Sequence, residues 1–176
     1  MPSHEQCIRT FAGAGACGRC PHAVGDSGQL SRRGLAESRA ILCPHNKFWP
    51  ILAALWPEHP QPERSDYAAR CQWLLARGLG LWDVYDSCLR EGSLDSAIRL
   101  PQVNDFATLK ARCPQLQAVA HNGGESYKHA GKLQGLGLAV YKLPSTSPAN
   151  ASWSFERKLA AWRAVMQAVG LLEKED

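Results

Sequence analysis

No apolar run in this 176-residue chain approaches the roughly 20 residues that a bilayer-spanning helix needs. Its first residues also lack the continuous apolar block of a secretory signal, so a cytoplasmic protein is expected. Low-complexity tracts are absent, and so is a strong charge. A net charge of +4 and a pI near 8.7 permit an anionic partner. They fall short of the pI above ~9 that marks a strongly basic nucleic-acid domain. The cysteine count of seven is odd, which argues against a closed disulfide framework. Cys17 and Cys20 form a single CxxC that, with Cys7, Cys43, His22 and His45, also reads as a zinc or iron-sulfur site. A second pair with diagnostic spacing is missing, so no metal or other cofactor is expected. Cys71, Cys88 and Cys113 read as small buried or half-buried residues.

Regular periodicity is missing from residues 1–43, which are rich in glycine and hold four of the seven cysteines. They read as an irregular N-terminal segment. From residue 44 to 176 the pattern is that of one α/β domain. Phe48, Ile51, Leu52 and Leu55 mark an amphipathic helix with Pro50 in its first turn. A second helix starts near Ser65, carries Tyr67, Cys71, Leu74 and Leu75, and stops at Gly78. Residues 79–85 read as a buried strand and residues 92–104 as a polar connection. Asn104 or Asp105 then opens a helix that stops before Pro114. Residues 116–120 are a second strand, residues 125–133 a helix, and residues 138–143 a third strand.

The last strand runs into Leu143-Pro144-Ser145-Thr146-Ser147-Pro148-Ala149-Asn150, and then into a helix with Phe155, Leu159, Trp162, Met166 and Val169 on one face. This strand-loop-helix turn offers hydroxyl and amide groups beside a helix start, as a phosphate or polar ligand edge requires. It reads equally as a well-capped βα connection with Ser152 or Ser154 as the cap. Alternating strands and helices imply a mostly parallel sheet covered on both faces, a three-layer α/β/α fold. Each strand ends in polar residues: Asp83, then His121 and Asn122, then the serines of the last loop. In open α/β sheets those carboxyl ends are where ligands bind.

Five segments together resemble the DNA-deoxyinosine (hypoxanthine-DNA) glycosylases of the uracil-DNA glycosylase superfamily. They are His45-Asn46-Lys47-Phe48-Trp49-Pro50-Ile51-Leu52, Leu81-Trp82-Asp83-Val84, Gly92-Ser93-Leu94-Asp95-Ser96-Ala97-Ile98, Asn104-Asp105-Phe106, and Leu143 through Asn150. The resemblance covers about residues 44–169 and is specific because separate motifs recur in order. It implies a uracil-DNA-glycosylase-like fold and a metal-independent, monofunctional base excision repair enzyme. Its partner would be double-stranded DNA with a deaminated base, hypoxanthine or mismatched uracil, bound by a monomer in the cytoplasm at the nucleoid. The target nucleotide must be flipped out of the duplex, at a cost that mispairing lowers. The resemblance places a catalytic, water-positioning or base-polarising role on Asn46, which also reads as a helix cap. It puts the base pocket at Phe48, Asp83, Asn122 and Gly123, and the DNA-binding loop at Ser145, Thr146, Ser147, Pro148 and Asn150. Trp49 reads as core, while Lys128, Lys132 and Lys142 read as phosphate contacts or as solvated surface lysines.

Two parts of the family pattern are missing: a first buried strand with its Gly-Ser-x-Pro-Gly turn, and a Gln-Tyr-Tyr-Ala-His-Pro segment before the Asn. A sheet without its central strand is therefore expected. Reading one base later across the codons of 28–34 and 40–44 permits both motifs, so a frameshift in residues 1–43 is a second expectation, tested by the coding DNA. The alternative to an active enzyme is an inactive or poorly folded remnant with at most weak DNA binding, or, from a different class, a metal module on Cys7, Cys17, Cys20 and Cys43.

Overall fold

A computed structural model describes residues 9–12, 45–82, 84–90, 98–103 and 105–173. Strand β1, Arg9–Ala12, is followed by helices α1, Phe48–Leu55, and α2, Tyr67–Leu75. Strand β2, Leu79–Trp82, then leads into an antiparallel ribbon of β3, Tyr85–Arg90, and β4, Ile98–Val103. Helix α3 is Phe106–Arg112 and strand β5 is Ala118–Asn122. A short helix α4, Gly124–Tyr127, and a 3-10 turn, Ala130–Leu133, precede β6, Ala139–Leu143, and helix α5, Phe155–Ala168.

The main sheet has the order β2-β1-β5-β6 and is parallel throughout. On one face α1, α2 and α5 bury Phe48, Trp49, Trp73 and Trp162 against Leu79, Ala120 and Leu143. On the other, Phe106, Leu109 and Leu133 cover Val119. This is the three-layer α/β/α arrangement expected from the alternation of elements.

The expected loss of the central strand is corrected. Arg9–Ala12 fills that place, with Phe11 in register with Leu81 on one side and Ala120 on the other. Four residues are too few to show a period of two, which is why the segment reads as irregular. The 92–104 connection is also corrected in part, because Ile98–Val103 is a strand of the ribbon. Register shifts between Tyr85 and Leu89, with Pro101 in the opposite strand, break the alternation that would reveal it. The expected 125–133 helix is two short pieces, as Gly131 weakens any continuous helix there.

Helix starts follow their caps. Asp66 accepts from Ala69 N, Asp105 accepts from Ala107 N and Thr108 Oγ1, and Ser154 accepts from Arg157 N. The first of these hydrogen bonds, from Ala107, is the main reason that the Asp105 carboxyl is held below its ordinary range. No helix among the described residues is long and apolar enough to cross a membrane.

Candidate functional site

Parallel strands deliver their carboxyl ends to one edge of the sheet, and three chain segments meet there. Asn122 ends β5 with its side chain buried. Its Nδ2 donates to Thr146 Oγ1 at 2.8 Å, and Thr146 N donates back to its Oδ1 at 2.9 Å. This reciprocal pair joins the end of β5 to the loop that follows β6. A carboxamide has two donors and two lone pairs, so the pair uses half of what Asn122 offers.

Gly123 makes a second seam at the same level. Its N–H lies 3.0 Å from both His121 O and Leu143 O, and its φ is 106°. A Cβ there would approach Ser145 Cβ to 3.0 Å, so backbone conformation and close approach both require glycine. The third segment arrives through Lys47, whose N–H donates to Thr146 O at 2.9 Å. Thr146 therefore receives the start of α1 on its carbonyl and the end of β5 on its hydroxyl and amide.

Asn46 is buried at the start of α1, where its Oδ1 accepts from Phe48 N at 2.9 Å. The cap position itself is Lys47, which makes no side-chain capping bond, so Asn46 stands one residue before the cap and its side chain meets the first helical N–H. Phe48 lies in the core, edge-on to Trp49 at 5.2 Å and Trp162 at 5.7 Å between ring centroids. Its place is behind the site. Asp83 lies outside the described residues, as do Asn104, Cys7, Cys17, Cys20, Cys43 and the codon-offset segments.

The 145–150 loop is held by its own polar groups. Ser147 N donates to Ser145 Oγ, Ala149 N to Ser147 Oγ, and Asn150 Nδ2 to Ser145 O. Lys158, from the first turns of α5, donates to Asn150 O at 2.9 Å and lies 3.5 Å from Ser147 O. Beside this loop opens a cleft of about 350 Å³ lined by His45, Lys47, Pro148, Asn150, Trp153 and Lys158, with Ala151 and Phe155 completing it. No carboxylate is among these residues, and the cleft accordingly favours an anion.

Lys47, Trp153 and Lys158 were given no role from the sequence, and His45 was weighed only as a metal ligand. For Lys158 a signal exists: it stands three residues after Phe155 and four before Trp162, on the helix face that the period assigns to core. The lysines that were singled out, Lys128, Lys132 and Lys142, do not line the cleft. Lys128 pairs with Glu125, and Lys142 lies over the Tyr127 ring.

Next to Asn122, His121 points the other way and is fully buried. Its Nδ1 shares a 2.8 Å hydrogen bond with Ser126 Oγ, and its Nε2 has no hydrogen-bond partner among the described residues. Burial, reinforced by the neighbouring His129, lowers its pKa to about 4, so the ring is neutral at pH 7. It belongs to the packing beneath the site.

Among the described residues no group of three or more His, Cys, Asp or Glu side chains is placed to hold a metal ion. No protein-family model matches the chain. A solved solution structure from Methanosarcina acetivorans, of a protein presented as a candidate uracil DNA glycosylase, superposes with a TM-score of 0.68 at 27% identity, covering 94% of this chain and 92% of that one. A hypoxanthine DNA glycosylase of Methanosarcina barkeri is 33% identical over 119 residues, 68% of this chain and 73% of its own length. Its counterpart in Methanosarcina acetivorans is 35% identical over 124 residues, 70% of this chain and 77% of its own length. With that likeness in sequence, and with the same three-layer fold, the chain belongs to the hypoxanthine DNA glycosylase family of the uracil-DNA glycosylase superfamily.

Proposed function

We propose that the chain is a monofunctional DNA glycosylase that hydrolyses the N-glycosidic bond of deoxyinosine in double-stranded DNA, acting as a monomer. The observation that carries this reading is the meeting at Thr146 of the Asn46 loop, the end of β5 and the loop before α5. The names of the relatives supply the substrate class.

In this reading the flipped nucleotide lies across the carboxyl ends of β5 and β6. Asn122 and Gly123 stand beside the base, where the family resemblance also assigns Asp83, and the loop of Ser145, Thr146, Ser147, Pro148 and Asn150 meets the backbone. A water oxygen bonds to C1′ as the C1′–N9 bond breaks. The bonding electron pair leaves with the base, and the proton released by the water passes to base or solvent. Charge separates along that path, so preorganised amide groups act where the charge develops. Asn46 is the group assigned to that task, with its carboxamide fixed by the Phe48 N–H. Phe48 contributes by holding α1 rigid through Trp49 and Trp162. Strand β1 at the centre of the sheet supports a folded, competent domain over a folding-deficient remnant.

The test is single-turnover cleavage of a duplex with one deoxyinosine. Cleavage by the full chain and a fall of about 10²- to 10³-fold in Asn46→Ala are expected. A parallel duplex with deoxyuridine opposite guanine measures the second substrate. A folded wild-type chain that leaves both duplexes intact would overturn the reading.

A further inference from the structure

Lys158 is only 3% exposed, and it sits in the first turns of the 14-residue helix α5. Both facts disfavour a cation. Burial strips its water, and the N-terminal end of a helix carries partial positive charge. An acidic partner would be the usual compensation. Among the described residues Lys158 makes no ion pair. Its hydrogen bonds go to two backbone carbonyls, Asn150 O and Ser147 O. Those take up two of its three donors and, among the described residues, leave its charge uncompensated. Lys47, across the same cleft, adds like-charge repulsion, and desolvation followed by Lys47 lowers the Lys158 pKa.

Two ammonium groups, an imidazole and an amide thus converge on a space with no carboxylate among the described residues that line it. Such an arrangement is unfavourable in the protein alone and is relieved by an anion. Trp153 and Phe155 give the space an apolar wall, and Trp153 remains 36% exposed. An apolar wall beside cations suits a phosphate that carries a sugar better than a free inorganic ion, because the sugar covers the rings.

We propose that His45, Lys47, Asn150 and Lys158 form a subsite for one phosphodiester group of DNA, with the attached sugar against Trp153 and Phe155. The identity of the anion rests on the glycosylase reading above. Lys158 then has two tasks: it ties down the 147–150 turn from below, and it offers its charge to the strand that the turn meets.

The experiment is equilibrium binding of the full chain to a duplex with one deoxyinosine, followed by fluorescence anisotropy across a range of salt concentrations. Loss of one neutralised phosphate lowers the slope of log K against log salt by about 0.9. Lys47→Met and Lys158→Met should each show that fall, and the double variant should show the same fall instead of twice it, because both lysines serve one phosphate. Lys158→Arg should keep the wild-type slope, as should Arg64→Met, an exposed cation outside the cleft. If Lys158→Met does not fold, exposed Lys47 carries the test. Wild-type slopes in Lys47→Met and Lys158→Met, from a chain that cleaves deoxyinosine DNA, would overturn the subsite and leave the glycosylase reading intact. A folded chain that binds no duplex would overturn both. Protection of the wild type, but not of Lys158→Met, by inorganic phosphate alone, with unchanged DNA slopes, would assign the cleft to a free anion and overturn the phosphodiester assignment.

Discussion

The two faces of the sheet differ in what fills them. One is aromatic, with Phe48, Trp49, Trp56, Trp73 and Trp162 in a single cluster, and with the guanidinium groups of Arg70 and Arg77 stacked on Trp49 and Trp73. The other is mainly aliphatic, and it encloses a histidine between Phe106 and Tyr127. The site residues are divided unequally between them. Asn46 opens α1 and Lys158 belongs to α5, both helices of the aromatic face, whereas His121 and Ser126 brace the end of β5 from the other side. Large rings fix the spacing of the helices that carry the proposed site residues, and the opposite face fixes the strand end that those helices meet.

The largest effect expected from this division is in Trp162→Ala. The ring is fully buried and meets Phe48 edge-on, so it holds α5 against α1. Truncation of such a residue costs about 3–5 kcal/mol. Urea unfolding should show that loss, and deoxyinosine cleavage should fall with it, because Asn46 and Lys158 lose their common support. A loss under about 1 kcal/mol would break the comparison by showing that the aromatic face does not set the helix spacing.

The aliphatic face should reveal itself through pH. His121 titrates near 4 when folded, against an ordinary value of 6.5, so the unfolded chain binds this proton more readily. Well above pH 6.5, where both states are neutral, the residue contributes no pH dependence. As pH falls from 6.5 towards 4 the unfolded state gains protons first and stability declines, by at most roughly 3 kcal/mol. His121→Gln should flatten stability in that window, as read by urea midpoints from pH 4 to 7. An unchanged slope in the variant would place the pH response elsewhere and remove the distinction between the faces.

Sequence revealed the two faces unevenly. The helices α1 and α5 were legible because Phe48, Ile51, Leu52 and Leu55, and then Phe155, Leu159, Trp162 and Met166, keep a helical period over enough turns. Caps at Asp105 and Ser154 were legible for the same local reason, and the helix start read near Ser65 falls one residue before the Asp66 cap. Strand β1 was not, since its place comes from partners about 70 and 110 residues away, Leu79 and Val119, and four residues cannot announce that pairing. The site divides likewise. The polar ends of strands β5 and β6 could be read, but the reciprocal bond of Asn122 with Thr146 is a contact 24 residues apart. Lys158 was passed over because its position on an apolar stripe shows only that it is unusual, and its partners lie in another segment.

The smallest of these effects concerns the seam between the faces. Asn122→Ala removes both hydrogen bonds to Thr146, and it leaves a buried N–H and a buried hydroxyl. An unsatisfied buried group costs about 1–3 kcal/mol, and local relaxation recovers part of that, so a loss of roughly 2 kcal/mol is expected. Thr146→Val isolates the hydroxyl half of the pair, since the backbone N–H keeps its bond to Asn122 Oδ1. The two substitutions should therefore be non-additive by about one hydrogen bond, ~1 kcal/mol, in a double-mutant cycle. Cleavage should fall further in Asn122→Ala than in Thr146→Val, because the former frees the loop from the end of β5 and also removes a group proposed to stand beside the base. Additive losses with equal cleavage would mean that the seam is incidental and that each face holds its own loops independently. Coupled losses with unequal cleavage would make the Asn122–Thr146 pair the point where the packing of both faces converges on the site.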